Sequence, residues 1–150
     1  MIPRKILFST DFSKNSEPAR ELALAYAKAF KAALAIAHVI DSRAGVSAYA
    51  ETVPADVSQI LRGMERSAAT DLEMLAKEFL GDVAEVKTCC RIGIPARDIV
   101  RMAEEEQVDL IVMGTHGWTG LRHLILGSTA ENVVRTAKCP VLTVRAPSGQ

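Results

Sequence analysis

The stretch Leu110 to Thr129, LIVMGTHGWTGLRHLILGST, constrains the fold more than any other part of the chain. Leu110 to Met113 is apolar throughout, the pattern of a short central strand covered on both faces. Glycines follow at Gly114, Gly117 and Gly120, and the stretch closes on Gly127-Ser128. Four of the nine glycines thus fall within fourteen residues. Glycine accepts positive φ and lets a backbone approach a ligand closely. A helix opens at Ser128. Strand, glycine-rich loop and helix N-terminus, in that order, form an arrangement that receives phosphate on backbone N–H groups and the helix dipole.

The rest of the chain repeats the alternation of strand and helix. Lys5 to Ser9 is the first strand, followed by a turn at Thr10-Asp11-Phe12-Ser13. Ser16 stands as N-cap with Pro18 in the first helical turn, and Ala19, Leu22, Ala23, Tyr26, Ala27 and Phe30 follow one helix face. Leu34 to Ile40 is the second strand. Asp41 to Val57 is a polar connection without a period, carrying Gly45 and Pro54. Leu61, Met64, Ala68, Leu72, Leu75 and Phe79 mark a second helix ended by Gly81.

Val83 to Cys90 has one wet face, through Glu85 and Lys87, and reads as a strand near the sheet edge. Gly93-Ile94-Pro95 turns into a third helix with Ala96, Ile99, Val100 and Ala103 inward, and Glu104-Glu105-Glu106 reads as its solvated end. The fourth helix carries Ala130, Val133, Val134 and Ala137 on its buried stripe, and Val141 to Val144 is the fifth strand. The order βαβαβαβαβ predicts one domain, residues 1–150, in the α/β class, with a parallel sheet and helices on both faces. The apolar first and fourth strands form the natural central pair.

Lys+Arg and Asp+Glu are both 18, so a formal charge of +0 offers no basic excess for nucleic acid or an anionic membrane. Lys28 and Lys31 interrupt the alanine-rich stretch from Leu22 to Ile40, which excludes it as a span. Met1 to Lys5 leads into only three strongly apolar residues, too few for a secretory signal. Cys89, Cys90 and Cys139 have no metal spacing and make no even set, so reduced thiols in a cytoplasmic protein are expected. Adjacent Cys89 and Cys90 should point to opposite faces of their strand.

In parallel sheets of this kind ligands sit beyond the carboxyl ends of the strands, where the winding direction reverses. If strands one and four are central, the loops that meet there hold Asp11 and the 114–128 segment. Named phosphate motifs are missing: the sequence contains no GxxxxGK[ST], and its glycines run GxxGxxG rather than GxGxxG. HExxH and GxSxG are also absent.

The spacing Gly114-x2-Gly117-x9-Gly127-Ser128, after LIVM and before a helix leading to CPVLTVR, resembles the ATP-binding motif of the universal stress protein family. STDFSKNS after strand one, His38-Val39-Ile40-Asp41 on strand two and GIPARDIV resemble that family's layout too. The resemblance covers essentially the whole chain, and the 41–57 connection is its least characteristic part. It implies a single Rossmann-like, adenine-nucleotide-binding domain, with a five-stranded parallel sheet in the order 3-2-1-4-5 and four helices on two faces. It also implies ATP in the cleft, with Mg2+ or Mn2+ on the phosphates. By position, Asp11 would sit near the ribose and adenine, and Val39 would address the adenine edge through its main chain. Gly114 and Gly117 would let the loop approach ribose and phosphates, and Gly127, Ser128 and Thr129 would receive the phosphates.

Several of these residues have a second reading. Asp11 also suits a turn that accepts N–H bonds, and Ser128 with Glu131 spells a capping box, S-x-x-E. His116 and His123 lack a third metal ligand at a suitable spacing, and Arg122 is a candidate phosphate counter-charge. Trp118 could cover a nucleotide or pack between subunits. No general base with an orienting partner is visible, so the chain is expected to bind ATP with at most weak hydrolysis. The last strand, Val141 to Val144, invites pairing with a second chain, and the family resemblance also implies a homodimer there. The competing readings are an interaction module of this fold that binds no nucleotide, and an adenylyl-transfer or ATP-pyrophosphatase-type enzyme. The latter needs a glycine-rich loop after strand one, and Ser9 to Ser13 contains no glycine.

Overall fold

Five strands form one parallel sheet in the order β3-β2-β1-β4-β5. The structure, a computed structural model, describes residues 2–43, 57–116 and 126–147. The elements are β1 (Lys5–Ser9), α1 (Glu17–Phe30), β2 (Ala33–Asp41), α2 (Val57–Phe79), β3 (Val86–Gly93), α3 (Pro95–Glu105), β4 (Leu110–Gly114), α4 (Ser128–Thr136) and β5 (Val141–Val144). The expected class, order and central β1–β4 pair are therefore present.

Strand alternation divides the core into two layers. Ile6 and Phe8 of β1, Leu34 and Ile36 of β2 and Val112 of β4 pack under α1 and α2. Leu7, Ala37, Val39, Ile111 and Met113 face α3 and α4. The α1 face is built from Ala19, Ala23 and Ala27, whose small side chains let the helix sit close on the sheet. Cys90 packs in the first layer and Cys89 in the second, as their adjacency requires. Burial pushes all three thiols above the usual cysteine range and favours the protonated form at neutral pH.

Local readings that considered only periodicity are corrected by packing. Phe30, Met64 and Val134 were expected inward but are 41%, 43% and 49% exposed. Each lies on the shoulder of its helix, beyond the stripe that the sheet covers. Met102, 1% exposed, also belongs to that stripe on α3, beside Ile99 and Ala103. The third strand starts at Val86 rather than Val83, because Gly81 at φ +94 turns the chain back and Val83 bridges to Leu80. The glutamate run is not simply solvated. Glu106 pairs with Lys5 at 2.7 Å and with Lys87, Glu105 pairs with Arg91 and Arg101, and Glu104 with Lys138. These pairs tie the end of α3 to both neighbouring strands.

Candidate functional site

The winding direction reverses between β1 and β4, so the segments following those two strands border a hollow above their carboxyl ends. After β1 the chain makes a turn dense in polar contacts. The Asp11 Oδ1 accepts from Ser13 N–H at 3.0 Å and from the Ser13 hydroxyl at 2.6 Å. Thr10 Oγ1 accepts from Phe12 N–H at 2.9 Å. Ser16 holds the N-cap position expected of it but makes no side-chain capping bond. Its backbone is already helical, and its hydroxyl donates to Ser13 O at 2.7 Å. A 3-10 turn at Lys14–Ser16 therefore precedes α1. Phe12 sits at φ +61, a left-handed conformation that costs a bulky residue on the order of 1–2 kcal/mol.

Val39 is placed by ladder geometry. Ala33 N–H donates to Arg4 O, and Ala37 O accepts from Thr10 N–H, both at 2.9 Å, so odd-numbered β2 residues turn their backbone toward β1. Val39 is two residues beyond Ala37 and keeps that direction, but β1 has ended at Ser9. Its N–H and C=O thus point into the hollow while its side chain stays in the core. Beside it, His38 Nδ1 lies 2.8 Å from Thr10 O, and its ring packs on Phe12 with centroids 4.7 Å apart. At the strand's end, hydrogen bonds and charge from Arg43 hold the Asp41 carboxyl below its usual range despite partial burial.

On the β4 side Gly114 and Gly127 each lie close against other backbone of the protein. A Cβ on Gly114 would stand 3.2 Å from Asn15 O and 3.7 Å from the Ser16 Cα, so its absence admits the 3-10 turn against the strand. Thr115 pins the ends of the following segment. Its N–H donates to Val144 O at 2.9 Å, and its carbonyl accepts from Gly127 N–H at 2.8 Å. The Gly127 amide is thereby committed within the protein. A Cβ at Gly127 would lie 2.9 Å from that same Thr115 carbonyl.

Gly127, not Ser128, is the N-cap of α4, and no side chain caps the helix. The capping box is absent because Glu131, one residue too far along, pairs with Arg135 at 2.5 Å. The first-turn N–H groups of Ser128 and Thr129 have no acceptor inside the helix, as at any helix start. N–H groups placed this way at a helix start are able to receive an anion. Gly117, Trp118, Arg122 and His123 lie outside the described residues. Among the described residues no cluster of three or more His, Cys, Asp or Glu could hold a metal ion.

The sequence reading did not single out Thr10, Thr115 or Asp98. Asp98 is 5% exposed, accepts from Ile94 N–H at 2.7 Å and from Arg97 at 2.9 Å, and thereby fixes the start of α3. Burial raises its pKa, but Arg97, the Ile94 N–H and Arg101 together hold it below the usual carboxylate range. Gly93 leaves the room that this carboxylate occupies. The glycine of GIPARDIV was the available signal, because a Gly before an Ile-Pro helix start often marks close approach. Two small clefts, one bordered by Cys139 and one by Tyr26 and Phe30, lie at the opposite, amino end of the sheet.

This layout has counterparts over its full length. The sequence profile of the universal stress protein family matches residues 3–145. The chain belongs to the universal stress protein family. Universal stress protein MJ0577 of Methanocaldococcus jannaschii is 37% identical over 157 residues, spanning 95% of this chain and 94% of its own. The solved structure of MJ0577 superposes with a TM-score of 0.86, covering 99% of this chain and 100% of that one. A universal stress protein solved in complex with cAMP is 25% identical, covers 97% of this chain and 98% of its own, and has a TM-score of 0.62. Another, from Archaeoglobus fulgidus and in complex with dAMP, shares the fold at 22% identity and a TM-score of 0.64, covering 97% of this chain and 100% of that one. Two universal stress proteins are thus solved with an adenine nucleotide bound.

Proposed function

We propose that this universal stress protein binds ATP in the hollow above β1 and β4 and acts in the cytoplasm as a nucleotide-dependent stress-response homodimer with at most weak hydrolysis. One juxtaposition carries the reading. The outward-facing main chain of Val39 and the first-turn amides of α4 border the same end of the sheet, with the Asp11 turn beside them. An adenine edge matches a strand's N–H and C=O, and phosphates match a helix start. Mg2+ or Mn2+ would ride on the phosphates, since magnesium usually takes few protein ligands. The relatives with bound cAMP and dAMP support the adenine class. No described helix is long and apolar enough to cross a membrane.

Ser128→Pro provides the test. Proline at the first helical position suits a helix start, and Gly127 at ψ 154 is the extended residue that proline requires before it. The substitution removes one amide and one hydroxyl from the phosphate site and leaves the fold intact. Calorimetric titration with Mg-ATP should show binding to the parent protein that weakens by about tenfold or more, the effect of losing charge-assisted bonds. Equal affinity would sink the reading.

The structure also favours a second reading through one observation. Gly114 and Gly127 both serve internal contacts, which suits an interaction module that never holds nucleotide. Mass spectrometry of protein purified without added nucleotide separates the two, because co-purifying ATP supports only the first.

A further inference from the structure

We propose that His38 is a positioning residue for the nucleotide, acting through the turn that carries Asp11. The inference rests on the reading of the hollow as an ATP site. A carbonyl oxygen can only accept, so the 2.8 Å contact with Thr10 O makes His38 Nδ1 the donor and leaves Nε2 as the other ring position. The same imidazole lies against Phe12 at 4.7 Å and 45°. It therefore grips the turn on both sides of Asp11, at the carbonyl of Thr10 and the ring of Phe12.

That grip has something to hold. Phe12 at φ +61 is in a conformation a bulky side chain leaves readily unless its surroundings over-determine it. Phe12 N–H to Thr10 Oγ1 and the two Ser13 bonds to Asp11 Oδ1 anchor the turn from within, and Ser16 Oγ to Ser13 O anchors its exit. The His38 contacts fasten it sideways to β2, beside the Thr10 N–H to Ala37 O bond, and β2 is the strand whose Val39 main chain faces the same hollow. The distance between Asp11 and the Val39 backbone is thus set in part through the neighbouring side chain, which alone of these two ties also reaches Phe12. A ligand touching both would feel any loosening as lost affinity.

The test uses the full chain. Indirect nitrogen NMR of the histidine ring should report His38 in the Nδ1–H tautomer in the nucleotide-free protein, and an Nε2–H tautomer would overturn the inference. His38→Phe keeps a ring against Phe12 and removes the donor; Mg-ATP affinity measured by calorimetry should fall about tenfold, equivalent to one charge-free hydrogen bond and its unsatisfied partner. His38→Asn, with an amide nitrogen close to the position of Nδ1, should recover part of that loss. In an Asp11→Asn background, His38→Phe should cost little further affinity, since both changes act on one contact. A merely destabilising role would lower the melting temperature equally in both backgrounds and leave the affinity losses additive. If the parent protein binds Mg-ATP and His38→Phe binds it equally well, the positioning role fails alone; if the parent does not bind, the nucleotide reading fails and takes this role with it.

Discussion

At Gly127 and Gly93 the missing Cβ matters because another part of the chain occupies the space. A methyl at Gly127 would press on the Thr115 carbonyl at 2.9 Å, an atom that cannot swing away. Gly127→Ala should therefore destabilise the fold by about 1–3 kcal/mol, the usual range for overpacking, seen as a lower denaturant midpoint. For the same reason a bulky residue at Gly127 reports on loop integrity before it reports on phosphate. Asp98 supplies a pH prediction. Its pKa is held below the unfolded value, so its stabilisation is complete above the unfolded range and is lost as pH falls through the folded value. Stability curves of the parent protein and of Asp98→Asn should run in parallel above about pH 5 and converge below about pH 4, where the unfolded carboxylate titrates. Curves that stay parallel down to acid pH would refute that role.

At the scale of single elements, β5 is an edge strand of four half-buried residues. Val144 O accepts from Thr115 N–H, and Pro140 O from Ile111 N–H, so even-numbered residues face β4 and the backbone groups of Val141 and Thr143 point outward. If the chain dimerises through this edge, Thr143→Pro removes an outward N–H without breaking the β4–β5 ladder. Sedimentation should then show the parent as a dimer and the variant as a folded monomer. A dimeric variant would assign the contact to another surface. The α4 terminus is an element whose sequence signal misled. S-x-x-E was present, but the helix began at Ser128 itself with Gly127 as its cap, because the Gly127 N–H to Thr115 bond decided where the chain entered it.

For the whole molecule, binding at a hollow shared by β1, β2, β4 and α4 couples ligand to global stability. With Mg-ATP at about a hundred times its dissociation constant, the gain is about 2.7 kcal/mol. For a domain of this size that is a rise in melting temperature of roughly 5–10 °C, measurable by calorimetry. An unchanged melting temperature at saturating Mg-ATP would contradict the proposed function.

The sequence by itself determined the fold class, the number and sequence order of the strands, the central β1–β4 pair, the opposed faces of Cys89 and Cys90, and which loops follow the two central strands. Those features depend on apolar period and on glycine, which act over a few neighbouring residues. Tertiary structure alone decided the rest. It spent the Gly127 amide on Thr115, moved the cap of α4, seated the 3-10 turn against Gly114, turned Val39 toward the hollow and brought His38 under the Asp11 turn. Each of these is a contact between residues remote in sequence or a register between strands, and neither leaves a mark in local periodicity.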